Sequence, residues 1–198
     1  INEETIIEPG TKFLLDENMS FIFKKKVIFN GIKGNPIIFD SIDKDKAWGT
    51  VAIVGENTKG SKIQFTKFKN GTGGKINNYL FTGMLSIHNT NNIEIHNLEL
   101  SDNKKFDDML HIVYVDNLNI HDSKFTDSAA DAIDIDSSKN INIKNVLIKN
   151  AGNDCLDFMQ TQANVLESNF SNCKDKGISV GERSNIIIAD SEIKDSDT

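Results

Sequence analysis

Four consecutive stretches decide the fold: DDMLHIVYVDNLNIHDSKFTDSA (107–129), DAIDIDSSKNINIKNVLIKNAGN (131–153), NDCLDFMQTQANVLESNFSNCK (153–174) and DKGISVGERSNIIIADSEIKDSD (175–197). Asp108, Asp131, Asp154 and Lys176 open equivalent segments at intervals of 23, 23 and 22 residues. The apolar residues keep the same register. Leu110, Ile133, Leu156 and Ile178 align, as do Ile112, Ile135, Phe158 and Val180. So do Ile120, Ile143, Val165 and Ile187, and then, after a small slip, Phe125, Ile148, Phe170 and Ile193.

Within each repeat, runs such as NINIKNVLI alternate apolar and polar residues, which is the period of a strand and not of a helix. A unit of this length cannot bury its apolar side alone, so neighbours must stack to build a continuous core. The expected architecture is all-β: a right-handed parallel β-helix of about seven coils. Strands about 4.8 Å apart then turn sequence register into columns in space. Asn tolerates left-handed turns, and inward-facing Asn side chains would ladder their amides between coils. A leucine-rich repeat is the main rival, but its leucine spacing is absent, and a β-sandwich is the other alternative.

Working outward, LSIHNTNNIEIHNLELSDN (85–103) fits one coil, with Leu85, Ile87, Ile93 and Ile95 inward, and TVAIVGENTKGSKIQFTKFKN (50–70) fits another. Between them GTGGKINNYLFTG (71–83) breaks the period and is expected to project as a loop. The first 40 or so residues read as shorter coils.

The 198 residues carry a formal charge of −7, with 38% hydrophobic residues, 26% charged residues and 2 prolines. That balance suits a folded domain. It supplies no basic face for nucleic acid, and no apolar run reaches the length of a membrane span. Beginning at Ile1 and ending in SEIKDSDT, the chain reads as one β-helix domain over 1–198, a fragment of a longer protein whose other domains are candidate partners. Cys155 and Cys173 make no disulfide framework and read as free, half-buried side chains; a bridge is the alternative, for geometry to decide.

Acidic residues gather on one edge of the last coils. Asp108, Asp131 and Asp154 share a column, and His111, Asp134 and Asp157 share the next, with Asp107, Asp136 and Asp175 nearby. Like charges at strand spacing repel unless protonated or bridged by a cation. The hard oxygens of Asp131, Asp134, Asp154 and Asp157 form a candidate calcium set. Against this stands the plainer reading of a solvated acidic stripe whose aspartates cap turns. Lys176 is expected to pair with Asp154 and Asp175. His88, His96 and His121 read as solvated surface residues, whereas His111 shares the acidic column. Trp48 and Tyr79 are candidate sugar-stacking rings, Trp48 equally a packing residue.

The series DAIDIDSS, GNDCLDFM, DKGISVGERS resembles the strand motifs of pectin-degrading β-helix enzymes, notably polygalacturonases. In that family one coil carries Asn-Thr-Asp-Gly, the next Gly-Asp-Asp-Cys, and the next Gly-His-Gly-Ile-Ser-Ile-Gly. The resemblance implies a catalytic role for Asp131 and Asp154. Asn153 stands where the family has its other Asp, Lys176 where it has His, and Ala132 where it has Gly; the Arg-Ile-Lys coil has no counterpart. A longer resemblance, over roughly 37–198, is to bacterial surface β-helix regions that accompany CotH-type spore-coat-kinase-like modules, carried by WG, DDML, DAIDID, GNDCLDFM and DKGISVGE. It implies a pectin-lyase-like fold and no established activity.

Two functions stand side by side. One is an extracellular or cell-surface module, non-catalytic, engaging a polysaccharide along its Asp-rich face. The other is a lyase or glycoside hydrolase of an acidic glycan, calcium-dependent in the lyase form, with Asp131, Asp154, Lys176 and Arg183 as catalytic candidates. Asp157, His111 and Glu182 are the substrate-binding candidates. A cleft with converging acid and base over the Asp columns would favour the enzyme.

Overall fold

The repeats wind into a right-handed parallel β-helix of about eight turns in this computed structural model, which describes residues 1–197. Alternation puts Ile133 and Ile135 inward, fully buried, and turns Asp134 and Asp136 outward. Each turn lends a short strand to each of three walls. The first wall stacks Phe21–Phe23, Val51–Val54, the starts of Leu85–Ser101 and Leu110–Ser128, then Ile133–Asp136, Leu156–Met159 and Ile178–Val180, all parallel. The column Leu110, Ile133, Leu156, Ile178 has the register read from the sequence, as does Phe125, Ile148, Phe170, Ile193. One column slips: Val165 pairs with Ile188, while Ile187 pairs with Asn164. No helix among the described residues is long and apolar enough to cross a membrane.

The corners explain the Asn and Asp content. Asn97, Asp122, Asn145, Glu167 and Asp190 form one corner column with φ between 50 and 54°. Asp102, Asp127, Asn150, Asn172 and Asp195 form another, with φ between 53 and 64°. Short polar side chains accept this left-handed geometry and bond locally. Their side chains also ladder: the Nδ2 of Asn150 donates to Asp127 at 2.8 Å, and that of Asn172 to Asn150 at 3.0 Å. The expected inward amide ladder instead lies on an outward, half-buried row, where Asn142 donates to Asn119 and Asn164 to Asn142, each at 3.0 Å. Inside, an amide would have displaced the apolar columns that drive stacking.

The first coils are cored by Phe13, Phe21, Phe23, Phe29, Phe39, Phe68 and Trp48, whose rings meet stacked, tilted or edge to face. Trp48 is fully buried with its indole N–H on the Lys69 carbonyl at 2.6 Å, so it packs the core and meets no ligand at the surface. Later coils use Ile, Leu and Val. Ile178 is only half-buried and Val180 is 52% exposed, against the expectation of full burial, because no described coil stacks beyond them.

Two further expectations change. Cys155 and Cys173 are joined in a disulfide and both are buried, closing an 18-residue segment within the coil that carries Asp154. A closed loop of that size contributes about 3 kcal/mol. The insertion at 71–83 leaves the coil with its tip exposed, as expected, but it is not an irregular loop. It forms an antiparallel hairpin, Gly74–Ile76 with Tyr79–Phe81, that folds back on the first wall. Phe81 anchors it, 2% exposed and 5.4 Å from the ring of His88.

Candidate functional site

Strand register strings seven outward positions of the first wall into one column: Ile22, Ala52, Ser86, His111, Asp134, Asp157 and Ser179. Ahead of these strands runs the corner column Asp108, Asp131, Asp154 and Lys176. The three aspartates there are 2%, 8% and 4% exposed. Much of their burial has a structural use. Asp131 Oδ1 accepts the Asp154 N–H at 2.7 Å and the Asn153 amide at 2.9 Å, and Asp154 Oδ1 accepts the Lys176 N–H at 2.7 Å. Asp131 and Asp154 thus each pin the backbone of the next coil, as the turn-capping reading expects.

The structure brings His111, Asp134 and Asp136 together: His111 Nε2 lies 3.7 Å from Asp134 and 3.9 Å from Asp136. Those separations exceed a hydrogen bond. On its other side, His111 Nδ1 meets Thr82 Oγ1 at 2.7 Å, and Thr82 also bonds Asp108. A Thr82 hydroxyl donating to Asp108 leaves its oxygen to accept the His111 Nδ1 proton, which turns the Nε2 lone pair toward the two carboxylates. Thr82 comes from the hairpin, and nothing in the repeat marks it. The ring of His88 stands edge-on 4.9 Å from His111, its Nε2 buried without a hydrogen-bond partner. His88 is therefore packed between Phe81 and His111 and is not the solvated surface residue expected.

Burial, followed by the surrounding carboxylates, dominates the electrostatics. It pushes Asp134 up to about 8, with Asp108, Asp136, Asp157 and Asp131 adding to the shift. Asp108 rises to about 7 through burial, eased by Thr82 and reinforced by Asp107 and Asp131. Asp136 and Asp131 are also raised by burial. His111 and His88 fall to about 4 because burial disfavours the imidazolium. Asp154 is raised as well, by burial, with the Lys176 N–H and the Lys176 ammonium, 3.9 Å away, holding the rise back. Lys176 also forms a close ion pair with Asp175, as expected, and that bond raises its pKa.

The other candidates are spread along the wall. Asp157 lies beside Asp134 in register. Glu182 and Arg183 are exposed in the turn after Ile178–Val180, where Arg183, with φ 59°, occupies the corner column of Ser137 and Gln160. They sit at the opposite end of that strand from Lys176. The ligating atoms of Asp108, His111 and Asp134 lie within 4.8 Å of one another. A mixed imidazole and carboxylate set suits a transition ion better than calcium. Tyr79, 66% exposed at the hairpin tip, remains accessible to a sugar.

In fold, the chain is similar to the catalytic domain of a GH87 alpha-1,3-glucanase variant in complex with tetrasaccharides, with a TM-score of 0.69 at 11% identity, covering 93% of this chain and 34% of that one. It is also similar to a proposed glycosyl hydrolase from Parabacteroides merdae, with a TM-score of 0.59 at 10% identity, covering 86% of this chain and 83% of that one. At such identities the likeness concerns the fold alone. The chain spans about a third of the length of that glucanase chain. No curated protein matches it. A family model described as Glycosyl hydrolases family 28 matches residues 5–198, nearly the whole chain. The chain belongs to glycosyl hydrolases family 28.

Proposed function

We propose that this protein binds a polysaccharide along the column from His111 to Ser179 and hydrolyses a glycosidic bond there, with Asp134 as general acid and Asp154 as base. Such chemistry needs one carboxylic acid that keeps its proton and one carboxylate that stays charged. The contrast between these two aspartates carries the reading. Burial and neighbouring carboxylates push Asp134 up to about 8; burial raises Asp154 too, but the N–H and the ammonium group of Lys176 act on it in the opposite direction and favour its charged form. In the step, Asp134 gives its proton to the leaving oxygen while Asp154 takes one from the attacking water. Asn153, where the polygalacturonases resembled in sequence have an Asp, is an amide and has no such proton to give.

A lyase reading would require Lys176 as a neutral base. Its hydrogen bond to Asp175 holds it as an ammonium ion, which works against proton abstraction. The non-catalytic reading draws on the structural use of Asp131 and Asp154 as coil pins. A cation held by Asp108, His111 and Asp134 would displace the Asp134 proton and oppose hydrolysis; calcium remains the hard-ligand alternative over Asp131, Asp134, Asp154 and Asp157. The buried disulfide suits an oxidising compartment and so supports an extracellular or cell-surface location.

The deciding experiment measures reducing-sugar release from a panel of uncharged and uronic polysaccharides by the native protein and by Asp134→Asn. Release that the substitution abolishes, with the far-ultraviolet spectrum unchanged, is the expected result. Binding without release from any member would leave a non-catalytic module.

A further inference from the structure

We infer that Tyr114 and the polar groove beside it form a second glycan-binding site, separate from the acidic column, in which a pyranose ring of a polysaccharide stacks on the tyrosine. The inference shares the polysaccharide with the reading above and is independent of hydrolysis at Asp134. It begins at the corner that ends each strand of the first wall. Gly55, Asn89, Tyr114, Ser137, Gln160 and Arg183 form that corner column, and all have positive φ. Gly and Asn adopt this conformation readily, whereas a bulky aromatic residue there is an outlier. Tyr114, at φ 53°, carries the steric cost of a left-handed turn on an aromatic side chain.

Packing does not offset that cost. Tyr114 is 61% exposed and, among the described residues, has no hydrogen-bond or ring partner. Phe65 shows the contrary case. At φ 40° it heads the corner column of Asn97 and Asp122, but it is half-buried with its ring edge-on to His96 at 5.7 Å, so contacts account for it. The exposure of Tyr114 is also unlike that of Val180 at the open end of the stack. Three further coils, with corners at Ser137, Gln160 and Arg183, stack beyond it. An accessible ring held in a costly backbone conformation that the fold does not use points to recognition.

Beside the ring lies a groove of about 490 Å³ over the turns of three successive coils, lined by Lys59, Asn89, Asn91, Asp116 and Asn117. Strand spacing makes it about 10 Å long along the axis, the length of a disaccharide. Its polar groups are ordered before anything binds. The Asn117 amide donates to Asn92 and the Asn92 amide to Asn91, while Asp116 is held by the Asn140 amide at 2.8 Å and by Lys139 at 3.3 Å. That ladder leaves the Asn117 carbonyl oxygen as a fixed acceptor and the Asn91 amide nitrogen as a fixed donor. A ring flanked by a few placed polar groups is a binding site for a ligand with one apolar face and a hydroxylated edge, which is a pyranose. Glu56, Lys59 and Asp116 put both signs of charge on the rim, so uronic and uncharged sugars both belong in the test. The groove lies round the corner from the acidic column, with Tyr114 three residues along the strand from His111, about 10 Å. A polymer gripped there keeps its neighbouring segments at high local concentration over the wall.

The test uses the fact that the chain has only 2 tyrosines, Tyr79 and Tyr114. The full chain with Asp134→Asn, which spares the ligand, is labelled with 3-fluorotyrosine, and Tyr79→Phe assigns the two fluorine resonances. Cello-, manno- and xylohexaose and hexagalacturonate are then titrated. At least one should shift the Tyr114 resonance saturably. Asn91→Ala removes the amide without touching the ring and should weaken that titration about fivefold. Tyr114→Asn, which suits the corner, should melt at the same temperature as the native protein or higher. No shift with any of the four sugars, an equal titration in Asn91→Ala, or a lower melting temperature for Tyr114→Asn overturns the inference. Hydrolysis by the native protein without the shift removes this site and leaves the reading above; the shift without hydrolysis supports this site and removes the catalytic reading. Should Asn91→Ala fail to fold, the titration of Tyr114 and the melting of Tyr114→Asn decide.

Discussion

The two halves of one outward column differ in everything except backbone. Ile22, Ala52 and Ser86 lie under the hairpin in an apolar, uncharged setting, while His111, Asp134, Asp157 and Ser179 continue the same register half-buried, acidic and beyond the hairpin's cover. A solenoid repeats its geometry, so the wall supplies equivalent positions throughout. Which of them become a site depends on the side chain placed there and on what an insertion hides.

The largest expected effect separates the halves by activity. Asp134→Asn should lower hydrolysis by about 10²–10⁴-fold, the usual worth of a general acid. Ala52→Ser, under the hairpin, should leave the rate on a cleaved sugar within a few-fold. Comparable losses in both would break the functional distinction.

Next comes a transplant across the column. Ser86→Asp puts under the hairpin the residue that the uncovered half accepts. A buried charge without a partner there should cost about 3–5 kcal/mol in denaturant unfolding. A neutral outcome would mean that the hairpin lifts away readily and the cover is loose.

The core beneath the uncovered half can be probed in the same way. Leu156→Ala, at a fully buried position, should cost about 2–5 kcal/mol. Val180→Ala, one coil further and 52% exposed, should fall within about 0.5 kcal/mol. Similar values would show that the last coil is packed as firmly as its neighbour.

A smaller effect follows from pH. Asp108 and Asp134 hold their protons in the folded protein up to about 7 and about 8, whereas the unfolded chain ionises near 3.8. Between those values the folded state binds more protons, so stability is greatest below about pH 4 as far as these groups are concerned and declines as pH rises through 7 to 8. Melting temperatures from pH 4 to 9 should show that decline, and Asp134→Asn should flatten it. The same proton limits activity, which should fall as pH passes about 8. The smallest expected effect is a rise in melting temperature with millimolar calcium through neutralisation of the cluster, reduced by Asp134→Asn. No change with calcium would leave protons and the Lys176 ammonium to neutralise the cluster.

The sequence by itself determined the solenoid, because a repeat of 22 or 23 residues forces like residues into stacked columns, and Leu110, Ile133 and Leu156 could fall nowhere else. It also placed Asp134 beside Asp157 and Lys176 beside Asp154, since those relations are register and nothing more. Three things waited for the tertiary structure. Ile188 replaced Ile187 because a single residue at a corner reverses every side chain that follows. Cys155 and Cys173 met because they lie on different walls of one coil, a closeness that separation along the chain does not reveal. The hairpin's return onto the wall, with Thr82 on His111, was invisible because an insertion has no repeat to align with. The protonation of Asp134 was hidden for a related reason: a carboxylate's charge depends on how much water and how many like charges surround it, and both are set only when distant segments close over the site.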